Sequence, residues 1–134
     1  MFGESNMVNA KILLIDSNKK DARYILNLLI GKGYNISHSI DAKAALQRID
    51  EIKFDLIIME LELEGIKGKA LYKKLRTKKK TKGLPILVLT AQDDIDEIEE
   101  LFQQNVDDYI IKPPRNSYLL SRVELLLAAQ KTKK

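Results

Sequence analysis

The chain has 134 residues and a formal net charge of +4, with 45% hydrophobic and 31% charged residues. That balance suits one soluble domain with one sizeable core. It has no cysteine and a single histidine, His38, which excludes a disulfide framework, a thiolate metal site and a multi-histidine metal site. No apolar run approaches the ~20 residues needed to cross a bilayer. The first ten residues, MFGESNMVNA, lack the basic start and apolar core of a secretory signal, so a cytoplasmic protein is expected.

Met1–Ala10 read as a loose leading segment. The first strand is Ile12–Ile15, a continuous apolar run of the kind covered on both faces in a parallel sheet, and it ends at Asp16. Ser17 or Asn18 then caps a helix carrying Ile25, Leu28 and Leu29, which Gly31 stops. Tyr34–Ser39 alternates weakly and reads as an edge strand, with His38 as a strand residue near the surface. Asp41 is placed to cap a helix bearing Ala45, Leu46 and Ile49.

The stretch FDLIIMELELEG supplies a third strand, Leu56–Met59, with Met59 in the core and Glu60 at its end. Glu62 and Glu64 read as solvated loop acids. Leu71 and Leu75 mark a third helix, which runs into the basic stretch Lys73, Lys74, Arg76, Lys78, Lys79, Lys80 and Lys82. A basic stretch can hold nucleic acid through its phosphates, but no aromatics interleave here to stack bases. A solvated helix end is the expectation, because lysines suit a helix C-terminus.

Ile86–Leu89 is a fourth strand ending at Thr90. The fourth helix carries Ile95, Ile98, Leu101 and Phe102 among the acids Asp93, Asp94, Asp96, Glu97, Glu99 and Glu100. Tyr109–Ile111 is a fifth strand, followed by Lys112 and Pro113. A last helix holds Leu119, Leu120, Val123, Leu126 and Leu127. Residues 11–130 thus form one domain of five β–α units, and 131–134 a basic tail. Right-handed crossovers place helices on both faces of a parallel sheet, and reactive groups gather at the carboxyl ends of its strands. Asp16, Glu60, Thr90 and Lys112 occupy corresponding strand ends.

ILLIDSN, FDLIIMELELEG, PILVLTA and DDYIIKPP, in this order, resemble the receiver domain of two-component response regulators, of the chemotaxis-regulator kind. The resemblance covers about Lys11 to Gln130. It implies a flavodoxin-like (βα)5 sandwich with strand order 2-1-3-4-5. In that family an acid pair after strand one holds Mg²⁺, and an aspartate ending strand three takes a phosphoryl group from a histidine kinase. A Thr or Ser after strand four and a Lys after strand five grip its oxygens.

Carried over, Asp16 matches the first acid, Thr90 the switch hydroxyl, Lys112 the lysine and Tyr109 the aromatic switch position. Ser17 stands where the second acid belongs, and Glu60 stands at the phosphoacceptor. The resemblance also implies a cis Lys112–Pro113 bond.

Ser17 takes one negative charge out of the metal shell, leaving Asp16, with Glu60 if any, as metal ligands; Mg²⁺ binding is therefore expected to be weakened. Glu60 places its oxygens about a bond length further out, and misplacing reacting atoms by ~1 Å costs on the order of 10²-fold in rate. The expectation is an atypical pseudo-receiver that is not efficiently phosphorylated and acts through protein interaction rather than as an enzyme. Glu60 either biases the domain toward the activated arrangement, with Thr90 and Tyr109 turned in, or forms a static salt bridge with Lys112. A phosphorelay receiver using Glu60 is the alternative.

Receivers signal through the face of helix four, strand five and helix five. Asp107 or Asp108 with Arg122 resembles the pairing across a two-fold receiver dimer. The expected partner is a protein at that face, a second copy included; no membrane is implied and nucleic acid at Lys73–Lys82 is a remote alternative.

Overall fold

A computed structural model describes residues 9–63, 68–91, 95–103 and 106–132, excepting the side chains of 97, 98, 101 and 130–132. Five strands alternate with five helices: β1 Lys11–Ile15, α1 Lys19–Ile30, β2 Asn35–Ser39, α2 Ala42–Glu51, β3 Leu56–Glu60, α3 Gly68–Thr77, β4 Ile86–Thr90, α4 Ile95–Gln103, β5 Asp108–Ile111 and α5 Asn116–Thr132. The sheet is parallel throughout, in the order β2-β1-β3-β4-β5. This is the flavodoxin-like arrangement expected from the sequence.

The continuous apolar runs follow from the two-sided burial of the three central strands. Leu13, Ile15, Ile57, Met59, Ile86 and Val88 point to one side, where they pack with Ala45 and Ile49 of α2 and Leu71, Tyr72 and Leu75 of α3. Their neighbours Ile12, Leu14, Leu56, Ile58, Leu87 and Leu89 point to the other side, against Ala22, Ile25 and Leu29 of α1 and Leu119, Val123 and Leu127 of α5. Successive strand residues face opposite ways, so a strand buried on both faces is apolar up to its carboxyl end, where Glu60 and Thr90 stand. The outer strands are less covered, and His38 and Tyr109 are half-buried.

The helix ends show where local rules compete. Asn18, not Ser17, caps α1: its side chain accepts from the backbone N–H groups of Lys20 and Asp21. Asp41 caps α2 by accepting from Ala44 N at 2.8 Å. Gly31 ends α1 but stays right-handed, at φ −60°, and the left-handed turn falls at Gly33, φ 90°. Gly68 opens α3 where a side chain has no room: a Cβ would lie 2.2 Å from the Leu61 carbonyl oxygen, while its own N–H donates to that oxygen at 3.1 Å.

Three expectations change. Ile95 and Phe102 are exposed on α4, whereas Ile98 and Leu101 lie outside the described side chains, as do the acids Asp93, Asp94 and Glu97. Of the leading segment, Asn9 and Ala10 are tied to the fold, Asn9 N donating to Gly33 O and Ala10 O accepting from Asn35 N; residues 1–8 lie outside the described residues. The last helix runs two residues past the expected boundary, to Thr132.

The basic stretch divides between α3 and the turn after it. Arg76 is a structural cation. Its guanidinium donates to the carbonyls of Thr81, Lys82 and Leu84, ion-pairs with Asp107 at 2.6 Å and lies over the Tyr72 ring. Asp107 Oδ2 also accepts from Ile86 N at 2.9 Å, so this acid anchors the start of β4.

Candidate functional site

Register brings the expected residues to one rim. Ile15 lies beside Met59, Glu60 beside Leu89 and Thr90 beside Ile111, so Asp16, Glu60, Thr90 and Lys112 all emerge at the carboxyl edge of the sheet. Backbone bonds continue the ladder there, from Leu61 N to Leu89 O at 2.7 Å and from Lys112 N to Thr90 O at 2.8 Å. Lys112–Pro113 is cis, as the resemblance implies. Asp16 is held from the outer strand: its N–H donates to Ser39 O, and its carbonyl accepts from His38 Nε2 at 2.8 Å. His38 is thus a supporting residue of the rim.

At the centre is the Glu60 carboxylate. Lys112 Nζ donates to Glu60 Oε1 at 2.6 Å. Ser17 donates twice to Oε2, from its backbone N–H at 3.1 Å and from its hydroxyl at 3.0 Å. Ser17 therefore neither caps α1 nor offers a disengaged hydroxyl. Lys112 also reaches Asp21 Oδ2 at 3.2 Å and Asp16 Oδ2 at 3.6 Å, so three acids surround one ammonium.

This crowding sets the protonation states. Burial pushes the Asp16 carboxyl up to about 7, although the Asn18 N–H on Oδ1 and the Lys112 ammonium pull the other way. Burial acts against the charged form of Glu60 too, but the Lys112 bond, the neighbouring Asp16 carboxyl and the Ser17 N–H outweigh it, and Glu60 is held below its usual range. Lys112 loses solvation, yet its bond to Glu60 and its nearness to Asp16 and Asp21 hold it above the ordinary lysine value. The rim near neutral pH therefore comprises an ionised Glu60, an ionised Lys112 and an Asp16 that divides its time between two forms. Asp16 Oδ2 itself is buried with no hydrogen-bond partner.

Thr90 goes elsewhere. Its hydroxyl donates to Glu62 Oε2 at 2.7 Å, and the next N–H, of Ala91, donates to Glu62 Oε1 at 3.2 Å. Glu62 is thus a latch between the β3–α3 and β4–α4 loops, where a solvated loop acid was expected; Glu64 lies outside the described residues. No signal in the adjoining sequence marks this role, because the hydroxyl it meets arrives from β4. Tyr109 packs onto the α2–α3 side of the core, with the Phe102 ring edge-on at 5.2 Å. A cavity of ≈ 420 Å³ adjoins Lys112, lined also by Asp21, Tyr24 and Ala91.

The acids of the partner face are already engaged within one chain. Asp108 bonds Arg122, and Asp107 goes to Arg76. The pairing that resembles a two-fold interface is therefore closed inside the protomer. Exposed apolar side chains remain along this face: Ile95 and Phe102 of α4, Ile111 of β5, Tyr118 and Leu125 of α5.

A parallel 2-1-3-4-5 sheet with Asp, Thr and Lys at matching strand ends narrows the family, and comparison with known proteins decides it. Residues 12–124 match the response regulator receiver domain. The chain belongs to that family. It is 33% identical to the chemotaxis protein CheY-3 of Vibrio cholerae serotype O1 over 106 residues, 78% of this chain and 82% of that one. It is also 33% identical to the transcriptional regulatory protein HprR of Escherichia coli K12 over 117 residues, 87% of this chain but 51% of HprR. The receiver thus spans about half the length of that relative. Among solved structures, a two-component response regulator from Clostridium difficile superposes with a TM-score of 0.82 at 30% identity, covering 89% of this chain and 96% of the other. No helix among the described residues is long and apolar enough to cross a membrane.

Proposed function

We propose that this receiver is an atypical, cytoplasmic member of its family that signals through protein contact with little or no phosphorylation. The observation carrying this reading is the closure of Glu60: one oxygen is held by Lys112 and the other by two donors of Ser17. A nucleophile must present an oxygen in line with the phosphoryl group, and the lysine that would take up charge is already spent on the nucleophile itself. Charge-assisted bonds of this length are the strong class.

A resident Mg²⁺ would be held weakly. The ion usually takes one or two carboxylates and completes its shell with water, and Asp16 with Glu60 would be the carboxylates available to it. The hydroxyl in place of the second acid points at Glu60, and the single Lys112 ammonium competes with the ion for both carboxylates.

The proposed partner surface is α4–β5–α5. Tyr118, Arg122 and Leu125 fall on one helical stripe beside β5, and Ile95 and Phe102 flank the acids Asp96 and Glu99. An apolar stripe among acids suits a protein partner with a basic rim. A weakly phosphorylatable phosphorelay receiver is the rival reading, favoured by Asp16 Oδ2, which is buried without a hydrogen bond. Incubation with acetyl phosphate and Mg²⁺ followed by intact-mass measurement decides between them. An unchanged mass is expected; gain of one phosphoryl group at Glu60 overturns the proposal.

A further inference from the structure

The basic stretch after α3 is only partly consumed by the fold. Arg76 and Lys78 have acids, Asp107 and Asp50. Lys80 donates to the neutral carbonyl of Asp50 at 2.8 Å, so its charge stays unmatched. Lys53, Lys79 and Lys82 are exposed and have no ion-pair partner among the described residues. Lys53, Lys79 and Lys80 stand around a cavity of ≈ 510 Å³ whose floor includes Ile49, Phe54 and Leu84. One acid, Glu51, shares its rim, so the mouth keeps a net positive charge.

This cavity lies in the loops that precede β3 and β4. It opens at the amino ends of the strands, whereas Glu60 and Lys112 sit at the carboxyl ends. Five-residue strands separate the two ends by roughly 17 Å at ~3.3 Å per residue. It is therefore a separate site with its own chemistry: cations outside, hydrocarbon beneath. Its occupant must be anionic and must bring an apolar group. Phe54 is only 5% exposed and offers no open ring face, which disfavours stacked nucleic-acid bases. The unmatched charge also continues past the cavity to Lys82, a footprint that suits an extended chain.

We infer that the amino end of this sheet is a docking site for an acidic protein segment that seats an apolar side chain between Lys53, Lys79 and Lys80. This inference is independent of what happens at Glu60.

The test titrates the full chain into a fluorescein-labelled peptide in which glutamates flank a leucine pair, read by anisotropy at low ionic strength. Saturable binding is expected. Lys53→Glu with Lys79→Glu should weaken it by about tenfold or more, with the surface charge changed but the floor intact. Serine in place of the peptide leucines should weaken it by about tenfold as well, through the lost burial. Lys19→Glu, on α1, should leave the affinity unchanged. Absence of saturable binding overturns the inference, as does an equal loss from Lys19→Glu or equal affinity for the serine peptide. Tighter binding of a charge-matched single-stranded oligonucleotide also overturns it and assigns the surface to nucleic acid.

Discussion

The Thr90 hydroxyl donates a hydrogen bond to Glu62, two residues beyond Glu60. The strand-four hydroxyl and the strand-five lysine, which the family turns on one phosphoryl group, here hold two different carboxylates. Lys112 keeps Glu60, and Thr90 with Ala91 keeps Glu62. Two side-chain acids thus occupy the donors of the grip.

Glu62→Ala should free the β4–α4 loop. The residue is exposed, so global stability should fall by less than about 1 kcal/mol. Local opening is the sensitive readout: the Ala91 amide, now without its acceptor, should exchange with solvent about tenfold faster. Unchanged exchange would mean that the latch restrains nothing.

Lys112→Met removes the one cation among three acids. Glu60 and Asp16 are nearly or fully buried, and leaving them uncompensated should cost on the order of 2–4 kcal/mol in urea unfolding at neutral pH. Adding Glu60→Gln should recover part of the loss, since the double variant leaves Asp16 as the one acid of the buried pair. A double variant no more stable than the single one would contradict the pairing.

Asp16 makes stability fall as pH rises. Its folded value near 7 lies above that of an unfolded aspartate, ~3.9, so between these values the native state binds more protons. Each step upward through that window therefore withdraws stabilisation contributed by this group. Glu60, held low, acts in the opposite sense: its contribution is present above its unfolded value and is lost on acidification. Asp16→Asn keeps an acceptor for Asn18 N–H but cannot ionise. The variant should gain on wild type progressively from about pH 4 to pH 7, by up to a few kcal/mol. Urea midpoints that run parallel across this range would refute the assignment.

Glu60→Asp shortens the acid and loosens its hold on Lys112 or Ser17. On the proposed reading it should alone accept little phosphoryl group, because Ser17 supplies no second carboxylate beside Asp16. Paired with Ser17→Asp, it should accept a phosphoryl group from acetyl phosphate and Mg²⁺ on the order of 10²-fold faster than the wild type. Intact-mass time courses compare the three proteins, and a double variant as inert as the parent would place the defect elsewhere.

The strands were legible because burial on both faces leaves one kind of residue acceptable. Four rim residues were legible because they end those strands. Side-chain partners were less so. Ser17 and Asn18 are both good caps, and only the position of Glu60 across the sheet draws Ser17 away from that role. Glu62 looked like solvent-facing punctuation because nothing in its neighbours reveals a hydroxyl arriving from β4. Arg122 and Asp108 suggested a contact between copies, although the two lie close enough to satisfy each other within one chain. In each case the deciding contact comes from a residue distant in sequence.

Gly68→Ala should be among the costlier substitutions outside the core. The added methyl would meet backbone, which cannot step aside as a side-chain tip can. A loss of about 1–3 kcal/mol is expected in thermal or urea unfolding; a neutral effect would show that the helix start gives way freely.

The same close approach has an architectural meaning. Leu61 and Gly68 touch through their backbones, so the chain that leaves β3 and the chain that enters α3 are stapled together at one point. The carboxyl end of the third strand and the first turn of the third helix therefore share one fixed joint, and the strand that carries Glu60 cannot slide without dragging that helix along.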